Sequence, residues 1–99
     1  MKVRAIDILH GDFGWRTASF LKLATSDGII GWSEFSEDVA GSRGVSAIIQ
    51  ALGGFLIGED PLQVERIASS LYYRTVQAPG GLNQQAVGAI VNALLDISM

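Results

Sequence analysis

Two glycine-bearing stretches hold most of the side chains able to recognise a small molecule. In HGDFGWR (residues 10–16), Asp12, Phe13, Trp15 and Arg16 stand beside Gly11 and Gly14. The Arg16 guanidinium is a fork that matches both oxygens of a carboxylate. Asp12 can accept hydrogen bonds from hydroxyls, and Phe13 and Trp15 can shut water out of a site. In SEDVAGSRG (36–44), Glu37, Asp38 and Arg43 offer a similar mixture of charges. Each residue also has a plainer reading: Arg16 as a solvated or ion-paired strand end, Phe13 and Trp15 as anchors packing a loop onto a sheet, Asp12 as a loop cap. His10 is the single histidine and invites a general-base role, but it has no second histidine to work with. Glu34 joins Glu37 and Asp38 in an acidic group, a pattern that suits solvated carboxylates on a strand end and loop better than a cation site.

Both stretches lie between segments that read as strands. KVRAIDIL (2–9), TASFLKLAT (17–25) and IIGWSEF (29–35) are rich in branched and aromatic residues. Asp27-Gly28 between the last two predicts a two-residue type I′ hairpin turn, so an antiparallel three-stranded meander is expected. A connection that only reverses the chain needs about two to five residues of turn chemistry. The acid, aromatics and base of residues 10–16 exceed that requirement.

Helices follow. SRGVSAIIQALGG (42–54) can be capped by Ser42 and stopped at Gly53-Gly54. In EDPLQVERIASSLYYR (59–74), Asp60 as N-cap, Pro61 at the first position and Gln63 three after the cap form a capping-box pattern. Val64, Ile67 and Leu71 then share one face. The tyrosines Tyr72 and Tyr73 at its end read as core or subunit packing. After the connection TVQAPGG (75–81), NQQAVGAIVNALLDI (83–97) predicts a third helix capped by Asn83. From Ala86 onward only Asn92 and Asp96 are clearly polar. A helix apolar nearly all round needs cover on more than one side, so it is expected to be exposed and to drive self-association.

The totals narrow the classes. Ninety-nine residues suit one domain. A net charge of −3 with seven scattered basic residues gives no basic stripe for nucleic acid. The longest apolar run, AIIQALGGFLIG (47–58), is broken by Gln50 and two glycines and falls short of the ~20 residues of a membrane span. No cysteine and no signal-peptide pattern fit a cytoplasmic protein.

The order of MKVRAIDI, FLKLATSDGIIGWSE (20–34), LIGEDPLQVERI (56–67) and NQQAVGAIVNALLDI (83–97) resembles the N-terminal capping domain of the enolase superfamily, in its mandelate racemase/muconate lactonizing enzyme group. The resemblance covers essentially the whole chain. It implies an α+β fold, a three-stranded antiparallel meander followed by three helices. It also implies that residues 1–99 form a lid and specificity domain, with the TIM-type barrel of such enzymes absent from this chain.

In the family the barrel carries the acids that bind Mg²⁺ and the bases that remove a proton α to a carboxylate. This chain is therefore expected to hold no catalytic residue, metal ligand or cofactor of its own. The loops at 10–16 and 36–44 correspond to the lid loops, which makes Asp12, Phe13, Trp15, Arg16, Glu37, Asp38 and Arg43 the candidate substrate contacts. Asp96 lies where the family's chain passes into the barrel and reads as structural. The implied partners are the protein's own C-terminal barrel and a small carboxylate substrate, with no nucleic acid and no membrane. The implied parent is a racemase, epimerase, cycloisomerase or acid-sugar dehydratase, and the chain alone is expected to be inactive. Two other readings are a stand-alone binding or oligomerisation module and the remnant of a truncated gene.

Overall fold

Branched and aromatic residues at two-residue spacing draw the first third of the chain into a sheet. The computed structural model describes residues 1–12, 17–35, 44–75 and 81–98. Strands β1 (Val3–Asp12), β2 (Thr17–Thr25) and β3 (Ile30–Phe35) are followed by helices α1 (Gly44–Gly53), α2 (Val64–Arg74) and α3 (Gly81–Ser98). The sheet is antiparallel in the order β1-β2-β3, the expected meander with three helices after it.

Alternation sorts the strands into two faces. Ser19, Leu21, Leu23 and Thr25 of β2 and Gly31, Ser33 and Phe35 of β3 are buried, under the helices. Lys22 pairs with Asp7 and Trp32 on the other face, where the Lys22 ammonium lies 5.7 Å from the Trp32 ring centre.

The turn between β2 and β3 differs from the expected type I′. Thr25 N–H donates to Ile29 O (2.9 Å) and Gly28 N–H to Thr25 O (3.1 Å), so the loop holds three residues, Ser26, Asp27 and Gly28. Gly28 takes φ 84° at its last position, as in three-residue hairpins with a left-handed glycine. The Thr25 hydroxyl accounts for the change, because its Oγ1 accepts the Ile29 N–H at 3.0 Å.

Helix α2 begins one turn later than the capping-box pattern predicts. Asp60 Oδ1 accepts the Leu62 N–H (3.0 Å), Gln63 N–H donates to Asp60 O (3.0 Å), and Pro61 is fully buried. The DP pair thus builds a turn packed on the core, and Gln63 precedes the helix without a side-chain cap. Ile67 and Leu71 face the core as expected. Tyr72 and Tyr73 do not: they are 63% and 78% exposed, so the core reading of the tyrosines is incorrect. The proposed Ser42 cap lies outside the described residues. Asn83 falls inside α3, which starts at Gly81, and so is not its cap.

Helix α3 is the centre of the core rather than its uncovered flank. Ala86, Ala89, Ile90, Ala93, Leu94 and Ile97 are buried, against Leu21 and Leu23 of the sheet, Val45, Ile49 and Leu52 of α1 and Ile67 and Leu71 of α2. The expectation of an exposed third helix therefore narrows to one strip, half-buried Val87 and Val91 with Leu95 at 45% exposure.

Three contacts fix α3 along β3. The Ser33 hydroxyl donates to Ala89 O (2.8 Å), the Trp32 N–H donates to Asp96 Oδ2 (2.8 Å), and Gly31 meets the helix backbone at Ala93. Asp96 is structural, as expected. A carboxylate in the last turn opposes the helix dipole by about 0.3–1 kcal/mol, while the bond to the strand edge returns about 1–2 kcal/mol. Asp96→Ala is accordingly expected to lower stability by about 1 kcal/mol, and Asp96→Asn, which keeps an acceptor oxygen, by less. Chemical denaturation of the three chains measures both.

Candidate functional site

The strand register brings the two candidate loops to one end of the sheet. The first leaves β1 at Asp12 and re-enters β2 at Thr17, which pairs with Asp12. The second leaves β3 at Phe35, which pairs with Ser19, two residues into β2, and leads to the start of α1 at Gly44. Helix α3 runs antiparallel to β3, since Ala89 lies at Ser33 and Ala93 at Gly31, so its Gly81 end points the same way. Of the candidate contacts, the backbone of Asp12 is placed at the tip of β1. Phe13, Trp15, Arg16, Glu37, Asp38 and Arg43 lie outside the described residues. What is established is that the segments carrying them spring from neighbouring strand ends.

His10 stands at this end and has a structural partner. Its Nδ1 is 2.9 Å from Ser19 Oγ, and Ser19 is fully buried. Because Ser19 is the residue opposite Phe35, one polar contact ties β1 to the strand from whose neighbour the second loop departs. Residue types and motifs in the sequence do not single out Ser19. Its signal was the alternation Ser19, Leu21, Leu23, which puts a hydroxyl on the core side where it must find a partner.

Glu34 is on β3 with its side chain away from the helices, while its presumed companions Glu37 and Asp38 lie outside the described residues. Among the described residues, no three histidine, cysteine, aspartate or glutamate side chains come together as a metal site. No helix of the described residues is long and apolar enough to cross a membrane.

At the opposite end of the sheet, a small pocket opens between the 55–59 turn and α2, lined by Phe55, Glu59, Arg66, Ile67, Ser70 and Leu71. Its charges are already engaged. Arg66 pairs with Glu59 at 2.8 Å, and the Arg74 guanidinium stacks 3.7 Å from the Phe55 ring centre. The turn itself is stitched to β1, with Val3 N–H donating to Glu59 O (2.8 Å) and Gly58 N–H to Val3 O (2.9 Å). This end is built for cohesion, and the loop-bearing end is the site candidate.

Comparison with known proteins agrees with this architecture. The family model for the mandelate racemase / muconate lactonizing enzyme N-terminal domain matches residues 3–99. A D-galactonate dehydratase of Xanthomonas euvesicatoria pv. vesicatoria is 32% identical over 98 residues, spanning 98% of this chain and 24% of the relative. The D-galactonate dehydratase of Klebsiella pneumoniae is 37% identical over 79 residues, 79% of this chain and 20% of the relative.

Among solved structures, a provisionally assigned L-alanine-DL-glutamate epimerase from Burkholderia xenovorans, bound to magnesium and fumarate, superposes with a TM-score of 0.91 at 46% identity. That match covers 98% of this chain and 24% of the other. The 3,6-anhydro-D-galactonate cycloisomerase of Zobellia galactanivorans gives 0.83 at 27% identity, covering 98% and 28%. The chain thus spans about a quarter of the length of the relatives it matches.

Proposed function

The chain belongs to the mandelate racemase/muconate lactonizing enzyme N-terminal domain family of the enolase superfamily, and from that premise we propose that it acts as the lid and specificity domain over a C-terminal TIM-type barrel. The observation that carries this reading is the common origin of the two polar loops. Loops of such composition leaving one sheet end side by side can close together over a barrel mouth, whose active site lies at the C-terminal face of its strands.

In this assignment Arg16 or Arg43 pairs with the substrate carboxylate, and Asp12, Glu37 and Asp38 take its hydroxyls. Phe13 and Trp15 exclude water, which strengthens each charged contact in the closed site. Similarity to dehydratases and a cycloisomerase of sugar acids favours an acid-sugar substrate, with an epimerase as the neighbouring chemistry. Mg²⁺ would belong to the barrel, where it stabilises the charge that develops as a proton leaves the carbon α to the carboxylate. No step assigned to this chain passes through the metal, whose ligands this reading leaves to the barrel.

Two observations test the reading cheaply. The purified chain is expected to show no Mg²⁺-dependent turnover of sugar acids. The reading frame after Met99 is expected to continue into strand–helix units with an early lysine-bearing strand and three spaced acids. Turnover by the 99-residue chain, or a true stop with no barrel coding nearby, would overturn the lid assignment in favour of a self-standing module.

A further inference from the structure

Asp27-Gly28 is the only Asp-Gly pair in the sequence, and such a pair is chemically unstable. Gly28 has no side chain to hinder its own backbone nitrogen from attacking Cγ of the Asp27 carboxylic acid. Attack forms an N–Cγ bond, breaks the Cγ–OH bond and releases water, which leaves a five-membered succinimide. Water then reopens the ring. Cleavage at Cγ restores aspartate. Cleavage at the former main-chain carbonyl gives isoaspartate, with one methylene added to the backbone and no net change in mass. The other aspartates precede Ile8, Phe13, Val39, Pro61 and Ile97. Four of these carry side chains that crowd the same attack, and proline has no N–H to lose.

The β2–β3 turn exposes the acid and restrains the nucleophile. Ser26, Asp27 and Gly28 are exposed, so water reaches the carboxyl. Gly28 N–H is held by Thr25 O at 3.1 Å, and Gly28 takes φ 84°. A type I turn closed in this way sets its third residue, here Asp27, near ψ of about 0°. The Gly28 nitrogen then eclipses the Asp27 nitrogen and stands a third of a turn from Cβ, whereas ring closure needs it beside Cβ.

Four further bonds pin the loop. Thr25 Oγ1 accepts the Ile29 N–H at 3.0 Å, and Thr25 N–H donates to Ile29 O at 2.9 Å. Ser26 N–H donates to Lys2 O at 2.8 Å, and Lys2 N–H donates to Ser26 Oγ at 3.1 Å. The cyclising geometry is reached only when the turn opens, and the open population sets the rate.

We propose that Asp27 is the first aspartate of this chain to convert to isoaspartate, and that the hydrogen bonds of the β2–β3 turn hold that conversion back. The added methylene falls in a loop of three residues, so the product cannot keep the Gly28–Thr25 bond. The damage lies next to β3, the strand that Trp32 and Ser33 fix to α3. Nothing in this depends on the lid assignment, since only the turn is involved.

Ageing the chain at neutral pH, folded and in urea, tests it, with isoaspartate located by peptide mapping. Isoaspartate is expected at residue 27 before any other aspartate, and about tenfold or more slowly in the folded chain than in urea. Thr25→Val keeps the branched shape and loses the Oγ1 bond to Ile29. It should speed the folded reaction about fivefold through the added open population and leave the rate in urea unchanged. Asp27→Glu, which would have to close a six-membered ring, should abolish the signal. The comparison with urea needs no variant to fold. Conversion first at another aspartate, equal rates folded and in urea, or a Thr25→Val chain that ages as the parent does would each overturn the proposal.

Discussion

Replacing Gly31 by alanine is expected to cost the domain about 3 kcal/mol or more, lowering Tm by upwards of about 12 °C. The added Cβ would fall on the Ala93 carbonyl oxygen and within 2.5 Å of Ile97 Cγ1. A side chain can turn aside, but a backbone carbonyl inside a helix cannot without losing its own bond. The helix would have to lift from β3, and with it go the Ser33–Ala89 and Trp32–Asp96 bonds and part of the packing of Ile90 and Leu94.

Against a total stability of about 5–15 kcal/mol for a domain, that loss is severe. The same change at Gly88 provides the contrast. A Cβ there meets nothing within 4 Å, so Gly88→Ala should gain about 0.5–1 kcal/mol from helix propensity alone. Thermal melts of the two variants measure both, and a Gly31→Ala chain as stable as the parent would refute the close helix–sheet crossing.

The elements were largely legible because their signals are local. Runs of branched and aromatic residues divided by Asp27-Gly28 mark β1 to β3, though their imperfect alternation does not settle which side faces the core. Helical spacing puts Ile67 and Leu71 on one face. The features that differ depend on partners remote in sequence or on a competing hydrogen bond. The Thr25 hydroxyl converts an apparent two-residue turn into a three-residue one. Asp60 spends its carboxylate on a turn because Pro61 is buried, which the capping-box pattern does not reveal.

From the sequence, helix α3 looks like an uncovered flank because its apolar residues surround the cylinder. Its side toward β3 is made of the small residues Ala89 and Ala93, and Gly31 lets the strand close against them. Complementarity of that kind is a property of pairs of elements and is silent in either one alone. At the candidate site, the loop origins followed from strand order. The roles within the loops rest on residue chemistry and on family resemblance.

Under the proposed lid role, Arg16→Ala in the chain joined to a C-terminal barrel is expected to lower kcat/KM for a carboxylate substrate about a hundredfold. That is the value of about 2–3 kcal/mol for a charge-assisted bond made in a closed, water-poor site. Activation by Mg²⁺ should be unchanged, because the lid reading leaves the metal ligands to the barrel. Trp15→Ala should let water in and shift the preference among sugar acids rather than abolish turnover.

This split between substrate and metal separates a lid from a merely stabilising domain, whose variants would lower active-enzyme concentration for every substrate alike. The decisive measurement is therefore kcat/KM for two carboxylate substrates, with the Mg²⁺ activation constant, across parent, Arg16→Ala and Trp15→Ala. The lid account predicts a changed substrate ratio at constant metal activation. An unchanged ratio in both variants, or a reading frame that holds no barrel to join, would contradict it.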